Sequence, residues 1–154
     1  MGDRCYMHVT CRRQDMAQFE ELGFHLEFES SPESLVVEMA DEEANYAHTD
    51  EMPTNIPYIA WNGTGSEYGD CKLVCDGQEF VEVPATSDGF VVAWDYRTNQ
   101  PKPESVDTIQ QYIAVHQRAA KFLQEPHNHA FSLETRVCIH CGVHADAVET
   151  LTTT

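Results

Sequence analysis

CKLVCDGQEFVEV, Cys71 to Val83, places two alternating runs on either side of an Asp-Gly pair. Asp76-Gly77 supplies the positive φ angles of a type I′ turn, so the stretch predicts a β-hairpin. Side chains alternate across a strand with period two, which puts Cys71 and Cys75 on one face of the first arm. They read as small buried hydrophobes, with a redox pair or second metal site as the competing reading. Upstream, across the glycine-rich stretch 62–70 (NGTGSEYGD), Tyr58 to Trp61 is a short apolar strand. Downstream, Gly89 to Asp95 (GFVVAWD) is another. Successive short strands with tight connections predict a β-meander.

Toward the N-terminus, Arg4 to Cys11 has the character of a first strand. Asp15 with Gln18 three residues on forms a capping-box pattern. Met16, Phe19 and Leu22 then recur at helical spacing, and Gly23 supplies the stop. Phe24, Leu26 and Phe28 alternate with His25, Glu27 and Glu29, as in a half-buried strand with an acidic outer face. Ser30 to Ser34 is a turn, and Leu35 to Met39 reads as a return strand; a helix starting at Ser31-Pro32 is the alternative. Residues 41–57, polar and carrying Pro53 and Pro57, read as a loop. The result is a β-α-β-β start.

Toward the C-terminus, a helix is predicted over about Ser105 to Gln124, with Ile109, Tyr112, Ile113, His116, Ala120 and Leu123 as its apolar stripe. His116 on that stripe reads as a core histidine. The predicted class is α+β: a small antiparallel sheet with the β-α-β-β start, the meander, one long helix in the C-terminal region, and a metal-clipped tail. An acidic domain is expected over residues 1–124 and an appendage over 125–154.

The tail carries the strongest motif, His129-x8-Cys138-x2-Cys141-x2-His144, with His127 and His140 as alternate ligands. Thiolates and imidazoles are the ligands Zn²⁺ prefers, and four complete a tetrahedron. Gly142 behind the Cys-x-x-Cys suits a tight knuckle. The segment resembles zinc knuckles and half-ribbons, with a histidine pair where a two-knuckle ribbon has its first Cys-x-x-Cys. A closed set of four ligands implies a structural Zn²⁺ that folds about twenty residues too few to make a core. A zinc-dependent enzyme is an alternative, but it needs an open position and a base, and Glu134 is the sole acid within the motif.

Other chemistry finds no support. The Gly63 to Gly69 loop lacks the Lys and Ser/Thr of a phosphate-binding loop. No Gly-x-Ser-x-Gly, His-Glu-x-x-His or EF-hand loop occurs. Arg12 and Arg13 follow Cys11 and could lower its pKa, although a strand-end thiol beside two surface charges is the simpler account. Gly2 is followed by Tyr6 where a myristoylation motif wants Ser or Thr. The first residues hold no apolar signal core, and no apolar run approaches the ~20 residues of a membrane span. A soluble, cytoplasmic protein is expected.

Charge supplies the functional expectation. Of 154 residues, 26 are acidic and 9 basic, for a net charge of −17. Residues 14–71 contain fourteen carboxylates and neither lysine nor arginine. Plain solubility, or adaptation to salt, explains an acidic surface, but ordinary surfaces interleave the signs. Duplex DNA carries one phosphate per ~1.7 Å of axis, so fourteen carboxylates at that density cover ~24 Å, about seven base pairs. A domain of this size is ~35 Å across. In character, though in no motif, this resembles small acidic inhibitors of phages and plasmids that occupy DNA-binding clefts. It implies a non-enzymatic inhibitor or adaptor for a basic, nucleic-acid-handling protein such as a restriction or CRISPR nuclease. Direct binding to nucleic acid or membrane is not expected. Glu27, Glu29, Glu38, Asp41, Glu42 and Glu43 are the expected partner-binding residues, brought together by the paired strands and the loop after them. A zinc-stabilised accessory or toxin-immunity protein is the alternative within the binding class.

Overall fold

The computed structural model describes residues 5–44, 50–64, 70–86, 89–124 and 132–137. The chain divides into two compact units, Met1–Leu123 and Gln124–Thr154. In the second, the described segment 132–137 is a tight turn in which Ser132 and Arg136–Val137 exchange backbone hydrogen bonds.

The first unit is α+β, and its sheet is large. Strands β1 (Cys5–Arg12), β2 (His25–Phe28), β3 (Val36–Ala44), β4 (Pro57–Thr64), β5 (Cys71–Asp76), β6 (Phe80–Thr86) and β7 (Gly89–Phe90) form one sheet in the order β2-β3-β1-β4-β5-β6-β7. Every pairing is antiparallel. The β-α-β-β start and the meander are both present, but they are not separate small sheets. Strand β1 lies at the join, with β3 along one side and β4 along the other. A two-stranded ribbon, β8 (Trp94–Asp95) with β9 (Gln100–Pro101), stands apart from the sheet.

Alternation in β1 separates two packed layers. Met7, Val9 and Cys11 are fully buried on one face with Val37 and Met39 of β3, Tyr58 and Ala60 of β4, and Leu73 and Cys75 of β5. Helix α1 (Met16–Glu20) caps this face through Phe19, whose ring meets Phe24 and Tyr58 edge-on at 6.0 and 5.4 Å. Met52 and Ile56 also join this layer, and the Tyr58 hydroxyl donates to the Pro53 carbonyl at 2.6 Å. On the opposite face Val74, Val81 and Val83 receive helix α2 (Pro103–Phe122) through Tyr112, Val115 and Ala119. No helix among the described residues is long and apolar enough to cross a membrane.

Several expectations need correction. Strand β3 runs on to Ala44, so Asp41, Glu42 and Glu43 are strand residues; β1 supplies their ladder partners, with Met7 opposite Asp41 and Cys5 opposite Ala44. Long-range pairing here outweighs the weak strand propensity of an acidic stretch. Helix α1 ends where Gly23, at φ +104°, allows it to, but the capping box does not form. The Asp15 carboxylate accepts from Arg12 Nε at 2.8 Å instead. Strand β2 is exposed throughout rather than half-buried, because it is the sheet's terminal strand. The β5–β6 turn is centred one residue later than expected. Asp76 N–H bonds the Glu79 carbonyl, and Gly77, at φ +98°, and Gln78 are the two central residues.

The expected strand Gly89 to Asp95 is broken in two. Val91 N–H donates to the Pro84 carbonyl at 3.0 Å, but proline has no N–H to return the bond, so the ladder stops there. Helix α2 starts at Pro103, a favourable first-turn residue. Its buried stripe is rotated from the expected one: Val115 and Ala119 face the sheet, whereas Ile113 is 44% exposed.

Candidate functional site

The expected partner-binding carboxylates occupy one end of the sheet but not one plane. Glu27 and Glu38 converge on β1, where Glu27 Oε2 lies 3.5 Å and Glu38 Oε2 3.8 Å from His8 Nε2. The Tyr6 hydroxyl donates to Glu27 Oε1 at 2.9 Å. Glu29 is engaged elsewhere, by the Arg13 guanidinium, whose Nε also donates to the Ser34 carbonyl. Asp41 is in register with Met7, on the α1 side of the sheet, and its carboxylate lies close to the Gly23 turn. Glu42 and Glu43 hold strand positions, and their side chains lie outside the described residues.

Three further acids of the same stretch are exposed: Glu20 at the end of α1, Glu21 just after it, and Glu33 in the β2–β3 turn. Between Asp15 and Glu43 there are ten carboxylates. The two arginines beside them, Arg12 and Arg13, are each committed to one of those acids, Asp15 and Glu29. The same hairpin exposes apolar side chains: Leu26, Phe28 and Leu35 are 38%, 57% and 54% exposed.

A second feature lies on the α2 side of the sheet. His8 of β1 is opposite Trp61 of β4, which is opposite Lys72 of β5. Adjacent strands are ~4.8 Å apart, so this cross-strand row spans about 10 Å. Tyr112 and His116 of α2 overhang the row, and the space between is a cleft of about 220 Å³. A second hollow of about 340 Å³, lined also by Phe90 and Ile113, shares Lys72, Tyr112 and His116 with it. The Lys72 ammonium sits 5.9 Å from the Trp61 ring centroid and 5.3 Å from that of Phe90. Burial, and secondarily the Lys72 charge, hold the His116 imidazole below its ordinary pKa. His116 is thus half-buried at the rim of a cleft rather than enclosed in the core.

The three described thiols, Cys11, Cys71 and Cys75, are held protonated by burial. Burial, reinforced by Asp15, pushes Cys11 up to about 12 despite the adjacent Arg12. Burial with Glu82 nearby does the same to Cys71, also to about 12, and burial raises Cys75. All three are free and buried, as small hydrophobes would be. Of the expected zinc ligands, His127, His129, Cys138, His140, Cys141 and His144 all lie outside the described residues. Among the described residues no group of three or more His, Cys, Asp or Glu side chains is arranged to hold a metal.

No protein-family model, no curated protein and no solved structure matches the chain.

Proposed function

We propose that the protein is a non-enzymatic binding module, an inhibitor or adaptor, whose acidic end engages a basic protein that handles nucleic acid. One observation supports this reading: β2 and β3, which carry Glu27, Glu38 and Asp41, form one edge of the sheet, and the arginines nearest in the chain, Arg12 and Arg13, are already paired with Asp15 and Glu29. Uncompensated charge of one sign raises association rates with a basic cleft and repels nucleic acid and anionic membranes. Because the carboxylates occur on both faces and at the turn, the complementary surface is a groove that receives an edge. Phe28 and Leu35 supply apolar anchors beside the charge, the mixture on which protein interfaces concentrate their energy. Nucleases of the restriction or CRISPR kind have grooves of this sort, built for a phosphate backbone.

The test is capture by the immobilised full-length chain from cell extract between about 50 and 200 mM salt. The expected partner is basic, is displaced by duplex DNA, and is released as salt rises. It is also lost when Glu20, Glu33 and Glu38 are replaced together by lysine. Capture indifferent to salt, DNA and charge reversal overturns the reading.

For the tail, we propose one structural Zn²⁺ held by His129, Cys138, Cys141 and His144, with His127 or His140 as substitutes. The chemistry of the donor set supports it, since two thiolates and two imidazoles satisfy zinc without leaving a position for water. Metal analysis of the purified chain is expected to give one zinc per molecule, lost in Cys138→Ala/Cys141→Ala. A stoichiometry unchanged by that double substitution counts against the assignment.

A further inference from the structure

Lys72 stands out in a chain carrying 26 acidic residues. Among the described residues no carboxylate lies within ion-pair reach of its ammonium, which rests instead against the rings of Trp61 and Phe90. An ammonium held over aromatic faces keeps donors available for an anion from solvent, since a ring face accepts no conventional hydrogen bond. The adjoining hollows, about 220 and 340 Å³, exceed the ~150 Å³ that accommodates a benzene ring. Aromatic and aliphatic side chains such as Trp61, Tyr112 and Phe90 make up half of each lining, and polar groups led by Lys72 and His116 make up the rest, so the hollows offer both an apolar wall and orienting polar groups.

We propose that this cleft binds a small aromatic carboxylate, with its anionic group on Lys72 and its ring against Trp61 beneath Tyr112. The charges along the cross-strand row fix the orientation. Glu27 and Glu38 flank His8 at one end, so an anion is repelled there and drawn to Lys72 at the other. The same two carboxylates disfavour a dianion such as an aryl phosphate. His116, whose pKa is held below its ordinary value by burial and then by Lys72, lines both hollows and offers a ring N–H to the carboxylate. None of the residues lining the two hollows is an expected partner-binding residue; Glu27 and Glu38 act on the ligand only through their charge, so benzoate binding is read separately from partner capture.

The probe is sodium benzoate, titrated into the full-length chain with Trp94→Phe so that Trp61 is the reporting tryptophan. Binding is read from Trp61 fluorescence and from the His8 and His116 ring signals by NMR. Benzoate is expected to saturate by about 10 mM and to move His116 more than His8. Benzyl alcohol, neutral, and benzylamine, cationic, are each expected to bind at least about tenfold more weakly. Lys72→Met and Lys72→Gln are expected to lower benzoate affinity by a similar factor, with the fold checked by circular dichroism. Spectra unmoved by benzoate overturn the proposal, as does equal binding of benzylamine or undiminished binding by either correctly folded Lys72 variant.

Discussion

Asp76 ends β5 and ties two elements together with one carboxylate. Its Oδ1 accepts the backbone N–H groups of Gln78 and Glu79 at 2.8 and 2.7 Å, while Oδ2 accepts Arg118 Nε from α2 at 2.7 Å. Burial alone would raise this carboxyl, but the Arg118, Glu79 and Gln78 hydrogen bonds outweigh it and hold the pKa below the ordinary value. A depressed folded-state pKa contributes stability in full above the unfolded value, near 4, and loses it as pH falls through the folded value. Asp76→Asn is therefore expected to be less stable than the parent at pH 7, with the difference shrinking below about pH 4; urea unfolding at several pH values checks it. A difference that stays constant into acid would assign the effect to shape rather than charge. The thiols invite an equally direct measurement. With Cys11 and Cys71 pushed up to about 12 by burial, neither is expected to react with iodoacetamide in the native protein at pH 8, and both should react once it unfolds. Adjacency to Arg12 and Arg13 offered a lowered pKa for Cys11 as the competing reading to a plain strand-end thiol, and the plain reading agrees with its burial. In the fold Arg12 is already held by Asp15, and adjacency carries no information about that competition.

At the scale of elements, turns and stripes test the packing. Gly77 has φ +98°, where an L side chain is strained, whereas a Cβ on Gly89 meets nothing within 4 Å. Gly77→Ala is expected to cost about 1–2 kcal/mol in chemical unfolding, with Gly89→Ala close to neutral as the control. For α2, Val115 is fully buried and Ile113 largely exposed. Val115→Ala should cost about 1–3 kcal/mol and Ile113→Lys less than about 0.5. The helix was legible from its 3.6-residue rhythm, but the choice of buried stripe was not. Val115 and Ala119 are small enough to let the helix lie close against Val74, Val81 and Val83, whereas bulk and hydrophobicity alone favoured Ile113. The β5–β6 hairpin and the first β-α-β-β segment were legible for a related reason, since each is written in local alternation and turn chemistry. The extension of β3 was not, because its ladder partners Cys5 and Met7 lie more than thirty residues away in sequence. The cleft was hidden in the same way: His8, Trp61 and Lys72 come from three strands, and only the register of those strands makes them a row.

At the scale of the molecule, the excess charge opposes the fold that carries it. Glu20, Glu21 and Glu33 are exposed and lie in the same lysine-free stretch as Glu27 and Glu38, and the arginines nearest in the chain, Arg12 and Arg13, are already paired. Like charges gathered in this way repel one another in the native state more than in the extended chain, so relieving them should stabilise. Replacing Glu20, Glu21 and Glu33 together by glutamine is expected to raise stability by about 1 kcal/mol, roughly 3–5 °C in Tm, at low salt. The gain should shrink as added salt screens the parent over a Debye length of about 10 Å at 0.1 M. If the acidic end exists to bind a basic partner, the same variant must lose capture as it gains stability, whereas an acidic surface kept for solubility alone predicts the gain without any partner to lose. Melting curves and capture measured on one preparation at matched salt separate these cases. A variant that is both more stable and undiminished in capture would remove the acidic end from the interface and leave Phe28 and Leu35 as the surface to substitute next.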